Sequence, residues 1–171
     1  MPTIGQNSRT TIGHPVTLPA LSFAPEEIRT DEPTRSARLK WVIVVDESLP
    51  AGRAVNATAC VAAATASSVG GLLGPDAVDS DAQTHPGLPW AGCSILGATP
   101  DAVAEVLVKA QASEGVHVAT MPEAAQSTRV YDEYLETVAR QTTAALRPLA
   151  VSIVGPRNRV DKLVKRLSLL P

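Results

Sequence analysis

The chain has 171 residues, of which 44% are hydrophobic and 19% charged, and it carries a formal net charge of −2. That length suits one domain able to bury a real core, the composition excludes a disordered chain, and the charge gives no general pull toward nucleic acid or acidic membranes. Aromatic residues make up only 3%, so the core must be Ala, Val and Leu, which favours close helix-on-sheet packing over a β-sandwich.

Residues 1–37 form an N-terminal arm rich in Pro and Thr, with Pro15, Pro19, Pro25 and Pro33 spaced through it. Such spacing excludes a long helix or a central strand. The opening MPTIGQNSRT has no basic stretch followed by an apolar one, and no segment approaches eighteen continuous apolar residues. A soluble, cytoplasmic protein without membrane contact is expected. The arm's apolar clusters, Val16 to Leu18 and Leu21 to Phe23, imply packing on the domain or on a second copy, so a homodimer is expected. Ala24-Pro25-Glu26-Glu27-Ile28 fits one short helical turn with Pro at its start.

The domain, 38–171, opens with the unbroken apolar run Trp41 to Val45, a strand covered on both faces. Asp46 ends the run, Pro50 and Gly52 mark a turn, and an Ala-rich helix follows. Arg53 and Asn56 are three apart and Cys60 lies four further on, so all three share a helical face near the carboxyl end of the first strand. Ligands of open α/β sheets bind at such ends. Neither G-x-x-x-x-G-K-S/T nor G-x-G-x-x-G is present, so neither kind of phosphate loop is expected. Cys60 and Cys93 read as buried free thiols.

Ser67 to Ala91 is a long Gly- and Pro-containing loop, of a length often functional. It carries His85 with Asp79 and Asp81 upstream, a spacing that matches no metal loop. His85 is a candidate general base because its ordinary pKa lies near neutrality; alternatively, His85 and Trp90 fasten the loop to the domain. Ser94 to Ala98 is a second strand. Thr99 caps a helix with Pro100 at its first position, striped by Val103, Val106, Leu107 and Ala110. Gly115 stops it and Val116 to Ala119 is a third strand, in which His117 is a core or edge residue. An amphipathic helix runs from Val130 to about Ala145, Leu149 to Val154 is a fourth strand, and a last helix, with Asn158 as cap, is striped by Val160, Leu163, Val164 and Leu167. The fold class is thus three-layer α/β/α around a small, mixed, mainly parallel four-stranded sheet.

Three segments resemble the archaeal and eukaryotic (type II) peptidyl-tRNA hydrolases: Leu49-Pro50-Ala51-Gly52-Arg53 against L-x-M-G-K-G-K, Ala57 to Ala63 against A-A-Q-C-x-H-A, and Ile153-Val154-Gly155-Pro156 running to Leu169-Leu170. Over almost the whole chain it is similar to an uncharacterised bacterial family, domain of unknown function 2000, related to that fold. K-W-V-x-V-V-D, L-P-x-G-R-A-V-N-A, H-x-G-L-P-W-A-G-C and A-Q-x-T-R-V-Y-D-E-Y carry that likeness. The hydrolase resemblance implies ester cleavage on an aminoacyl- or peptidyl-tRNA. Arg53 stands for the family's first loop lysine and Glu123 for its aspartate, whereas Val55, Ala59 and Ala62 replace its second lysine, its glutamine and its histidine.

Two functions follow. In the first, a hydrolase uses Arg53, Glu123 and His85 catalytically while Asn56, Gln126, Thr128, Arg129 and Tyr131 hold a small-molecule or tRNA-derived substrate. In the second, the same fold is a non-catalytic module binding a small molecule or a protein. Neither a cofactor nor a metal is implied. The basic run Arg157, Arg159, Lys162, Lys165 and Arg166 either meets RNA phosphates or is a solvated face.

Overall fold

A computed structural model describes residues 21–171; the apolar cluster Val16 to Leu18 lies outside them. Among the described residues, five helices accompany a five-stranded mixed sheet. Its strands are β2 (Leu39–Asp46), β6 (Ser94–Ala98), β7 (His117–Pro122), β8 (Pro148–Pro156) and β9 (Ser168–Leu169), in the order β7-β8-β2-β6-β9. Two small ladders flank it, β1 (Leu21–Ser22) on β3 (Val69–Gly70), and β4 (Ala77–Val78) on β5 (Thr84–His85). The helices are α1 (Ala51–Ser68), α2 (Pro100–Gln111), α3 (Ala124–Ser127), α4 (Tyr131–Ala139) and α5 (Arg157–Val164).

Two expectations about the sheet need correction. It has five strands, because Ser168–Leu169 pairs with β6 at Leu96 and Gly97. It is not mainly parallel either: β2 with β6 is the one parallel pairing of the sheet, and β8 runs antiparallel to both β2 and β7. A buried antiparallel strand and a buried parallel strand have the same apolar composition, so the run Leu149 to Val154 does not reveal its direction.

Alternation along the strands sends side chains to two cores. Trp41, Ile43 and Val45 meet α1 through Ala54, Ala57 and Val61. Val42 and Val44, with Val151 and Ile153, meet α2 and α5 through Val103, Leu107, Val160 and Val164. Helices therefore cover both faces. Small residues on the inner face of α1 let its backbone approach the sheet, which is why an Ala-rich helix can pack here. The outer face is solvated, so Cys60 is exposed instead of buried, while Cys93 is half-buried and burial pushes its thiol up to about 12.

The segment from Leu21 onward joins the core through Phe23 and Ala37. Pro25–Glu27 makes the expected single helical turn, with Ala24 N–H donating to Glu27 Oε2 at 2.8 Å. Arg38 hydrogen-bonds the same carboxylate and donates to the Ser22 carbonyl at 2.9 Å. That guanidinium, helped by the Ala24 amide, holds the Glu27 carboxyl down to about 2. Trp90 fastens the long loop: its ring lies 4.9 Å from Phe23 and its Nε1–H donates to the Gly71 carbonyl at 2.8 Å. Gly71 has φ of 71°, and an added Cβ would stand 3.0 Å from Phe23 Cβ, so only glycine fits without strain.

Thr99 caps α2 through the Ala102 amide, and Val103, Val106, Leu107 and Ala110 are its buried stripe, as the sequence implies. Two other helix expectations do not hold. The helix from Tyr131 ends at Ala139 and buries no residue, and α5 is preceded by Pro156, with Asn158 Oδ1 accepting from Arg159 N instead of capping.

One buried polar chain crosses the α1 side of the sheet. Trp41 Nε1–H donates to Ser152 Oγ at 2.8 Å, and Ser152 Oγ lies 2.7 Å from Thr65 Oγ1. Thr65 Oγ1 is also 2.7 Å from the Val61 carbonyl. A threonine hydroxyl has one proton, so giving it to the carbonyl leaves Thr65 to accept from Ser152 and satisfies every member. Ser152→Ala strands the indole N–H and should lower unfolding free energy by roughly 1–3 kcal/mol in urea titrations, with the far-ultraviolet dichroism of the native state unchanged.

Candidate functional site

The antiparallel pairing of β8 decides which residues meet. Because β8 opposes both neighbours, β2 and β7 run the same way, and their carboxyl ends flank the start of β8. Arg53 enters there on the first turn of α1, Glu123 and Gln126 leave β7 there, and Arg147 immediately precedes β8. The Glu123 amide donates to the Arg147 carbonyl at 2.8 Å, which ties the exit of β7 to the entry of β8.

Asp46 prepares the turn into α1. It remains within β2, fully buried, and its Oδ1 accepts from both the amide and hydroxyl of Ser48, at 2.9 and 2.6 Å. Its Oδ2 has no partner among the described residues.

Arg53, Asn56 and Gln126 form one hydrogen-bonded group. Arg53 Nε donates to Gln126 Oε1 at 2.6 Å, and Gln126 Nε2 donates to the Arg53 carbonyl and to Asn56 Oδ1, both at 3.0 Å. The group is largely solvent-facing. Asn56 is exposed, and its side-chain partner is Gln126. The amide of Gln126 uses its oxygen and its nitrogen on α1, so it fixes one edge of the Arg53 guanidinium while the terminal nitrogens stay unbonded by the described residues.

Arg53 borders a cleft of about 490 Å³, lined also by Glu123, Ser127, Gln141 and Arg147. Arg147 Nη1 lies 3.5 Å from Glu123 Oε1. Arg147 is the residue that sequence reasoning missed. Only the direction of β8 brings it to this edge, since a parallel strand would have begun at the opposite one.

The remaining candidates separate into two groups. Thr128, Arg129 and Tyr131 line a second cavity, of about 430 Å³, together with Cys60, Met121 and Tyr134. Thr128 Oγ1–H donates to the Ala124 carbonyl at 2.9 Å and so closes α3. His85 joins neither cavity. It sits exposed on the hairpin that follows α1, whose 18 residues put roughly 27 Å between its ends. Asp79 Oδ2 is 2.9 Å from His85 Nε2, while Asp79 Oδ1 accepts from the amides of Asp81 and Gln83. The His85 contact, ahead of those amides, holds the Asp79 carboxyl below its usual range. The Asp79–His85 pair organises its own hairpin.

Residues 39–171 match a family described as a protein of unknown function, DUF2000. The chain belongs to the DUF2000 family. No curated protein matches it. Among solved structures, the fold is similar to that of Atu0240, a protein of unknown function from Agrobacterium tumefaciens, with a TM-score of 0.72 at 14% identity, over 77% of this chain and 97% of that one. The family match begins at β2, so it takes in Arg53, Gln126 and Arg147 and leaves out the segment that carries Phe23 and Arg38. No helix among the described residues is long and apolar enough to cross a membrane.

His117, at the amino end of the edge strand β7 and so away from the cleft, gives the fold a pH dependence. Burial holds its pKa below the ordinary 6.5, and its Nε2 has no partner among the described residues. The unfolded chain therefore takes up this proton more readily than the folded one, so the contribution is fully present above 6.5 and is lost as pH falls from there toward the folded value. Urea midpoints measured across that interval should decline, and His117→Phe should remove that part of the decline.

Proposed function

We propose that the protein binds a small anionic ligand, bearing a carboxylate or phosphate, in the cleft between Arg53 and Arg147. The observation that carries the reading is the Gln126 clamp. It holds Arg53 by Nε and leaves its terminal nitrogens unbonded by the described residues, while Arg53 and Arg147 line one polar cleft. Fixed guanidinium forks match carboxylate and phosphate oxygens in geometry, and preorganisation lowers the entropy lost on binding. Glu123 neutralises part of the charge on Arg147, which favours a singly charged group over a large polyanion.

Glu123 also supports a second reading, ester hydrolysis by a peptidyl-tRNA hydrolase-like site. Its carboxylate shares the cleft with Arg53, so a base for water and a cation for the developing oxyanion are available together. Against tRNA esters specifically, Val55, Ala59 and Ala62 supply hydrocarbon where the resembling enzymes place a lysine, a glutamine and a histidine. Binding is therefore the leading reading.

Calorimetric titration with inorganic phosphate and with acetate tests it. Both anions should bind, and Arg53→Ala or Arg147→Ala should each weaken them by about tenfold. Gln126→Ala should weaken them less, because it frees Arg53 without removing it. Variants that bind as the wild type does would rule the cleft out. For the second reading, incubation with N-acetyl-aminoacyl-tRNA should release the acyl amino acid, and Glu123→Gln should abolish release; no release above background removes hydrolysis and leaves anion binding standing.

A further inference from the structure

The second cavity has a character of its own. It lies among α1, β7, α3 and the start of α4, and its volume of about 430 Å³ falls within the roughly 300–1,000 Å³ typical of sites for small organic ligands. Its floor is apolar: Val61 and Met121 are buried, and Ala64 and Ala125 complete it. Two tyrosines stand over that floor, with ring centroids 5.3 Å apart and planes inclined at 52°. Tyr131 is 73% exposed and α4 buries no residue, so this aromatic surface is not spent on the protein's core.

Arg129 lines the same cavity, and no ion pair among the described residues involves it. An apolar floor, an open aromatic face and an unneutralised guanidinium are complementary to one chemistry. We infer that this cavity binds a small planar aromatic acid, its ring against Tyr131 and the Val61–Met121 floor and its carboxylate on Arg129. A purely apolar occupant would leave the guanidinium unused, and an inorganic anion would leave the floor and rings wet. The site is distinct from the anion cleft, because α3 stands between them: Ala125 lines this cavity, whereas Ala124 and Gln126 line the other.

Titration of the full chain with naphthoate, followed by amide and side-chain NMR shifts, tests the inference. Saturable shifts are expected at Met121, Ala125, Tyr131 and Tyr134. Naphthylmethanol, which keeps the ring and lacks the charge, should bind about tenfold more weakly, and Arg129→Gln should weaken naphthoate to the level of the alcohol. Tyr131→Ala, at an exposed position that leaves the fold intact, should also weaken naphthoate by about tenfold, and Arg53→Ala should leave it unchanged. Equal binding of acid and alcohol, or loss in Arg53→Ala but not in Arg129→Gln, would overturn the assignment. So would shifts that follow protein concentration and not ligand, since a second copy of the chain would then be filling the cavity.

Discussion

Everything near the site depends on β8 being paired along both edges. It lies between β7 and β2, and Pro148 to Gly155 are buried throughout, so none of its backbone groups can turn to water and each must find a partner on a neighbouring strand. The antiparallel ladders that meet this demand fix the register, Val42 opposite Ile153 and Ala119 opposite Ser152. A slip of one residue would carry Ser152 from the Trp41 and Thr65 side into the apolar layer under α2 and leave a buried hydroxyl and an indole N–H unpaired. The buried hydroxyl chain thus opposes the shifted alternative as well as stabilising the native pairing. With register set, the positions of Arg147 before β8, Glu123 after β7 and Arg53 after β2 are set too.

Much of the local structure was legible because each element announces itself in a short window. Thr99-Pro100-Asp101 signals a helix start, and the stripe Val103 to Ala110 identifies its buried face. Strand direction is not a local property. The run Leu149 to Val154 is apolar in either direction, and its antiparallel course emerges only from the pairing of whole strands. The short strand Ser168–Leu169 is invisible for a related reason: two exposed residues carry no alternation, and their assignment rests on a partner over seventy positions earlier. Helix α4 shows the converse. Tyr131, Tyr134, Leu135 and Val138 repeat at helical spacing, yet Tyr131 and Leu135 are exposed and Tyr134 and Val138 only half-buried, so the pattern gave a helix but no fully buried stripe.

The site divides along similar lines. Arg53, Asn56 and Gln126 meet because two strand exits share one edge of the sheet, β2 and β7 running the same way. Thr128, Arg129 and Tyr131 come only a few residues after Gln126, so sequence proximity assigned them to the same group. Helix α3 undoes that assignment. A single turn, closed by the Thr128 hydroxyl on the Ala124 carbonyl, rotates the chain so that adjacent residues face different cavities. His85 was placed by its chemistry alone, and the length of α1 carries it away.

The two cavities share the short helix α3 but have different linings. Gln126 spans from α3 to α1 and is the described side-chain hydrogen-bonding link between those two helices. Ala125, its neighbour, is part of the wall of the aromatic cavity. The exposed nature of these hydrogen bonds makes each individually weak against water. Together the three hold one edge of Arg53 against α3, above the stiff sheet edge where Pro148 to Gly155 are locked between their neighbours. Register in the sheet, and not the exposed hydrogen bonds, therefore sets where Arg53, Glu123 and Arg147 stand.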